Sequence, residues 1–455
     1  MKNGKRSSFS GKLGYVLAAA GASVGLGNIW RFPYLAAKYG GGIFLIIYIV
    51  HALTFGYTMI VAETAIGRMT RKSPVGAFKS FGKKKWLSFG GWINAVIPVL
   101  IVPYYSVIGG WVIKYLVEYF RGNAKLLAED GYFTDFISNG VSTELCFVAF
   151  CAFTLIIIFA GVQNGIERVS KIMMPILIVL SVIIAVYSVT RPGALAGVKY
   201  FLVPNVKNFS WMTVVSAMGQ MFYSLSIAMG ILITFGSYMK KDTAIEDSTR
   251  NVEVFDTGIA IMAGLMIIPA VFAFSGGAPD TLQAGPSLMF ITIPKVFQNM
   301  GFGTVIGIVF FLLVLFAAVT SSIALTESAV STFEDELGWG RKKATVLVGV
   351  IMLVLGSLSS LGYGPLAGIK IIGMQFLDLF DFLTNSVMMP IAALLTSLLV
   401  SRVVGIDKIE EEIIHGESAF RRKKVFVVMI KYLCPVFAII ILLSSVANAL
   451  GWIKM

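Results

Sequence analysis

Apolar runs long enough to cross a bilayer recur along the whole chain, and no water-soluble fold can bury that many. A crossing helix needs about 20 apolar residues. Eleven such runs are read near 13–37, 42–68, 88–120, 144–162, 168–189, 210–238, 252–275, 304–333, 343–361, 370–402 and 426–450. Only 13% of residues are charged and 57% are hydrophobic, whereas a soluble chain carries roughly a quarter charged residues. The expected fold class is an all-α polytopic membrane protein with eleven transmembrane helices in a lipid bilayer. Several runs exceed the crossing length, which implies tilt or protrusion.

The net charge of +13 does not point to nucleic acid, because the Lys and Arg residues cluster in short loops on alternate sides of the runs. That distribution encodes topology. With the N-terminus cytoplasmic, the inner side holds Lys2, Lys5, Arg6 and Lys12, the loop "GRMTRKSPVGAFKSFGKKKW", Lys240 and Lys241, "GRKK" and "RRKK". The outer side receives "LLAEDGYFTDFISNG" and "SGGAPDTLQAGPS". An odd span count then puts the C-terminus outside, and the membrane expected is the cell inner (plasma) membrane. Cys146, Cys151 and Cys434 lie in apolar runs without metal-ligand or disulfide spacing and read as small buried hydrophobes. No small-residue cleavage site follows the first run, so no cleavable signal peptide is expected. No G-x-x-x-x-G-K-[ST] occurs, which argues against an ATP-driven pump.

Two runs are interrupted. The first contains "AGASVGLGNIWRFPY" and the sixth "YSLSIAMG". Interrupted segments at matching positions in two halves are the best sequence pointer to a transporter's midplane binding site. They predict two inverted five-helix repeats with broken helices 1 and 6. The layout is an N-terminal segment (1–12), the first repeat (13–189), an outer loop (190–209), the second repeat (210–404), an inner linker (405–425) and the eleventh helix with the C-terminus (426–455). The outer loop near 276–303 is expected to hold a short surface helix, and "GIDKIEEEIIHGESAFRRKK" a short interfacial one.

Four groups of residues carry chemistry. Gly21 and Gly25 have the spacing of close helix packing; Asn28 and Arg31 beside them favour instead an unwound backbone that frees carbonyls and N–H groups. Thr320, Ser321 and Ser322 either back-bond within their helix or supply oxygens to a hard cation such as sodium. Among the intramembrane acids Glu63, Asp256, Asp378 and Asp381, Glu63 suits hydrogen bonding to broken-helix backbone. Asp256 suits an ion site, and Asp381 suits a partner for Arg31. Tyr104 and Tyr105 are belt aromatics or, placed inside the span by Pro98 and Pro103, buried phenols that need a partner.

The stretches "GNIWRFPY", "AETAIGR", "GIERVSKIMMP", "GQMFYSLSIAMG", "FITIP", "FAAVTSSIA" and "FEDELG" together resemble the neurotransmitter:sodium symporters over essentially the whole chain. The resemblance implies a leucine-transporter-like fold, two sodium sites and one amino-acid site. One Na+ would be held by the carbonyls of Gly21, Val24 and Ala317 and the hydroxyls of Thr320 and Ser321. The other would use the Ser23 carbonyl, Asn28, Ser224, Asp256 and the substrate carboxylate. That carboxylate would meet the backbone near Leu26 and Gly27 and the Tyr105 hydroxyl. The substrate side chain would touch Ala22, Ile101, Tyr223, Ser226, Met229, Ser322 and Leu325, with Ser23 also counted to the substrate site. Arg31 with Asp381 resembles an outer gate, and Arg6 with Asp335, near Tyr238, an inner one. Gly165 and Pro175 match the family's glycine–proline pair of the fifth span.

Asp256 stands where many members carry asparagine, so chloride-independent transport is expected. Phe9 replaces the usual tryptophan, with weaker inner-gate packing expected. The function expected is sodium-coupled symport of a neutral, hydrophobic or aromatic, L-amino acid into the cell by alternating access. The alternative is a non-transporting amino-acid sensor or channel-like protein on the same scaffold. An enzyme is not expected, since His51 and His415 lack catalytic partners.

Overall fold

The computed structural model describes residues 6–275 and 285–449. Lys2, Lys5, the first part of the outer loop and the last residues of the C-terminal segment lie outside them. The first span is a bent pair, α1 (Lys12–Ser23) and α2 (Gly27–Lys38), turned by 53°. Then follow α3 (Gly42–Thr70), α4 (Lys85–Phe120), α5 (Gly140–Phe159) and α6 (Val162–Val189). The second half opens on another broken pair, α7 (Trp211–Ser224) and α8 (Ile231–Ser237), followed by α9 (Ile245–Ser275). A short α10 (Leu288–Gln298) precedes α11 (Gly303–Leu337), α12 (Arg341–Leu361) and α13 (Phe376–Val404). A linker helix α14 (Ile406–Ile414) leads to α15 (Lys423–Asn448).

Among the described residues, nine continuous helices are long and apolar enough to cross a membrane, and the bent α1–α2 pair makes a tenth. Each half of the α7–α8 pair is too short to cross alone; counted as one interrupted crossing, it completes the expected eleven. The short helices foreseen in the outer loop and the inner linker are α10 and α14.

The two breaks lie at the centre because the helices carrying them are wrapped by others. α1 packs on α6, α9 and α11, while α8 packs along α3 and α11 along α4. Burial follows: Ala19, Ala20, Val24 and Leu26 have no exposed surface, which is unusual for helices that only cross lipid. Aliphatic side chains such as Val141, Leu145, Ile156 and Val186 instead form the outer surface, as a bilayer solvent requires. The second break, residues 225–230, bends through left-handed backbone at Ser226 (φ 52°), Ala228 (φ 58°) and Gly230 (φ 70°). Non-glycine residues hold this conformation only where surroundings compensate them. Here Glu63 of α3 does so, accepting the Ala228 N–H at 2.7 Å.

Candidate substrate and ion site

At the first break the chain leaves helical geometry at Val24 (φ −74°, ψ 94°). The carbonyls so released turn toward α11. Ser321 Oγ lies 3.2, 3.1 and 3.3 Å from the carbonyl oxygens of Gly21, Ala22 and Val24. Its neighbours behave differently. Thr320 donates back to the carbonyls of Phe316 and Ala317 at 3.0 and 3.2 Å, and Ser322 Oγ lies 3.2 Å from Thr154 Oγ1 on α5. The three consecutive hydroxyls thus point three ways, as a helix of 3.6 residues per turn dictates. Gly25 makes the approach feasible: a Cβ there would lie 2.7 Å from Ser321 Oγ and 3.1 Å from the Tyr105 hydroxyl.

A second oxygen cluster surrounds Asp256 of α9, which has no exposed surface. Asn28 donates its amide to Asp256 at 2.8 Å, Ser224 its hydroxyl at 2.9 Å and Tyr48 its phenol at 2.9 Å. No Lys or Arg pairs with this carboxylate among the described residues. Withdrawing an ion from water costs several kcal/mol, while each hydrogen bond to a charged group returns about 1.5–3 kcal/mol. Three neutral donors therefore satisfy the lone pairs but leave the negative charge uncancelled. A small cation with oxygen ligands fits that deficit.

Between the two clusters lies a small cavity. Its floor is the broken backbone from Ala22 to Asn28, and its walls are Ile101, Tyr105, Tyr223, Ser226, Met229 and Leu325. Every residue proposed from sequence for substrate contact lines it except Ser322, which faces α5. The Tyr105 hydroxyl accepts the Leu26 N–H at a long 3.3 Å, so a carboxylate can compete for both groups. The Gly27 carbonyl takes the amide of Gln220 at 3.0 Å.

Toward the opposite face from the N-terminus, Arg31 stacks on the Tyr223 ring, 5.2 Å from its centre. Arg31 and Asp381 border one hollow, without a direct ion pair between them. Asp381 is engaged by the Tyr104 phenol at 3.2 Å and the Asn385 amide at 2.5 Å. The expected contact is therefore not made in this state, and Tyr223 is the group roofing the cavity.

At the N-terminal face, Arg6 pairs with Asp335 at 2.5 Å and donates to Ser237 and Ser331, each at 2.9 Å. Its guanidinium lies 5.0 Å from the centre of the Tyr238 ring. Tyr238 itself donates to Glu327 at 2.7 Å, and Glu327 pairs with Arg341 at 2.6 Å. Phe9, expected to pack poorly, is 1% exposed and meets Tyr15, Phe235 and Tyr238 edge-on.

Sequence reasoning missed Tyr48, Gln220, Glu327 and Arg341. For Tyr48 a signal existed, because a phenol in mid-span needs a partner. Gln220, an amide within an apolar run, offered a similar one.

A family model described as the sodium:neurotransmitter symporter family matches residues 6–128 and 133–452. The chain belongs to this family. An uncharacterized sodium-dependent transporter of Bacillus subtilis, YhdH, is 34% identical over 450 residues, covering 98% of this chain and 99% of the relative. A sodium- and chloride-dependent GABA transporter of Homo sapiens, GABA transporter 2, is 26% identical over 474 residues, covering 90% of this chain and 75% of that one. Among solved structures, MhsT in complex with L-phenylalanine superposes with a TM-score of 0.86 at 34% identity, over 97% of this chain and 100% of that one. The symporter is thus a multi-pass, sodium-dependent membrane transporter and not an enzyme. Its fold is the all-α bundle with broken first and sixth spans expected from sequence.

Proposed function

We propose that this symporter carries a neutral, hydrophobic or aromatic L-amino acid into the cell with sodium, by alternating access. The observation that carries the reading is Asp256: a fully buried carboxylate with only neutral donors, beside a cavity floored by unwound backbone. A cation at Asp256, Asn28, Ser224 and the Ser23 carbonyl would answer that charge and present a positive ligand to the substrate carboxylate. A second Na+ is assigned to Gly21, Val24, Ala317, Thr320 and Ser321. Each binding event then favours the other, since coupling between sites is reciprocal. Sodium entry adds roughly 2.3 kcal/mol per charge per 100 mV of membrane potential.

The apolar walls formed by Ile101, Met229 and Leu325 support a hydrophobic side chain, and methionine repacks around different shapes. The L-phenylalanine held by MhsT agrees with this. Because Asp256 supplies a fixed negative charge, chloride is not required. The basic loops orient the N-terminus to the cytoplasm and the C-terminus outward across the inner (plasma) membrane. Arg31 with Asp381 guards the outer route and Arg6 with Asp335 the inner one.

Reconstitution into liposomes with an inward sodium gradient tests the reading. Uptake of a hydrophobic amino acid that saturates, requires sodium and persists without chloride is expected. Sodium-independent uptake, or none for any amino acid, overturns it; binding without uptake would identify a sensor on this scaffold.

A further inference from the structure

The N-terminal end of α1 has no cap of its own. Gly11 precedes the helix without a side chain, and its first turn holds no acidic residue. Such an end leaves backbone N–H groups unpaired and carries partial positive charge. A carboxylate of α6 holds the residues just before it. Glu167 accepts the Ser10 N–H at 2.9 Å and the Ser10 hydroxyl. Its carboxylate presses against the first turn of α1: a Cβ at Gly14 would lie 2.4 Å from Glu167 Cδ. The side chain is 3% exposed and is also held by Lys171 at 2.6 Å.

Glu167 ends a segment that is itself irregular. After Gly161 (φ 90°) the Ile166 N–H reaches five residues back to the Gly161 carbonyl at 3.1 Å, a wide turn of the kind found as single bulges in helices. A hollow lined by Arg6, Ser8, Val162 and Gln163 adjoins it. The strand of chain at Ser8–Ser10 is fastened further by Gln163 to the Ser8 carbonyl and by Lys240 to the Ser10 carbonyl, both at 2.7 Å. Arg6 anchors the same segment to α11 through Asp335. The two anchors differ in place: Asp335 holds the segment at Arg6, whereas Glu167 holds it at Ser10, against the first turn of the helix whose other end supplies the Gly21, Ala22 and Val24 carbonyls.

We infer that Glu167 is a positioning residue of the transport cycle: by tying Ser10 to α6 at the foot of α1 it keeps the inner half of the first span closed, and its release from Ser10 accompanies opening of the ion cluster to the cytoplasm. The inference rests on the alternating-access reading above.

The test uses the full chain with Cys146, Cys151 and Cys434 replaced by alanine and a reporter cysteine at Met174, which is fully buried. The Met174 Sδ lies 3.5 Å from where a Gly21 Cβ would sit. The rate of labelling by a hydrophilic thiol reagent is measured in sodium and in potassium. With Glu167 intact, sodium slows labelling. Glu167→Gln raises the rate in sodium about tenfold, as expected for loss of one charge-assisted hydrogen bond, and leaves the potassium rate unchanged. Ser10→Ala, a milder change should Glu167→Gln fail to fold, moves the ratio in the same direction. A general loosening of the fold would raise both rates together, and that result overturns the inference, as does an unchanged ratio in both variants. A parent protein indifferent to sodium overturns the alternating-access reading instead, and this inference with it.

Discussion

Asn28 and Asp256, 228 residues apart in sequence, meet at 2.8 Å through an amide-to-carboxylate hydrogen bond with no solvent access. The contact joins the first residues beyond one helix break to the middle of α9. It also fixes the Asn28 amide, whose oxygen in turn accepts the Gly25 N–H at 3.3 Å. One buried charge therefore organises the backbone of the break.

Asp256→Asn removes the fixed negative charge while keeping the shape. Uptake in chloride-free buffer falls by about tenfold or more, and added chloride restores part of it. Sodium-gradient uptake in liposomes with chloride or gluconate reads the effect; undiminished chloride-free uptake would falsify the assigned role.

Ser321→Ala deletes the hydroxyl that faces three carbonyls of α1. The sodium concentration for half-maximal uptake rises about tenfold, while the maximal rate at saturating sodium changes less. A sodium titration of initial rates distinguishes this from misfolding, which lowers the maximum alone.

Gly25→Ala places a methyl group 2.7 Å from Ser321 Oγ, closer than real Cβ contacts allow. The protein still folds, since the clash is local to the break, but sodium-dependent substrate binding is abolished. Size-exclusion profile and scintillation-proximity binding of a labelled amino acid report the two properties separately.

Met229→Phe narrows the cavity wall. Aromatic substrates lose affinity and small aliphatic ones keep it, because added volume in a packed site costs about 1–3 kcal/mol. Competition by a panel of amino acids measures the shift; a uniform loss across the panel would place Met229 away from the side-chain pocket.

Much of this arrangement was legible in the sequence for a physical reason. Glycine, asparagine and arginine inside "GASVGLGNIWR" are too unfavourable in lipid to stand there without a task, so the first break announces itself. The family resemblance of "GQMFYSLSIAMG" likewise implied substrate contacts for Tyr223, Ser226 and Met229, and all three line the cavity. Ser322 was misleading because three adjacent hydroxyls cannot face one site, and sequence alone does not say which one turns toward α5. The Arg31–Asp381 contact illustrates another limit. Charge complementarity predicts that two residues attract, whereas the distance between them depends on which state of the molecule is present. Arg341 and Glu327 escaped notice because a basic residue at a span end ordinarily marks topology, and nothing local reveals a partner 14 residues earlier.

Glu63 has one further consequence. Its carboxylate on α3 is the acceptor for the Ala228 N–H on the second break, and both groups are buried. Parting α3 from α8 would strand that N–H without a partner, at about 1–3 kcal/mol for a buried group left unpaired. The second break is thus tied to α3. In the proposed alternating-access cycle, a motion that carries α3 and α8 together keeps this bond, and one that parts them gives it up.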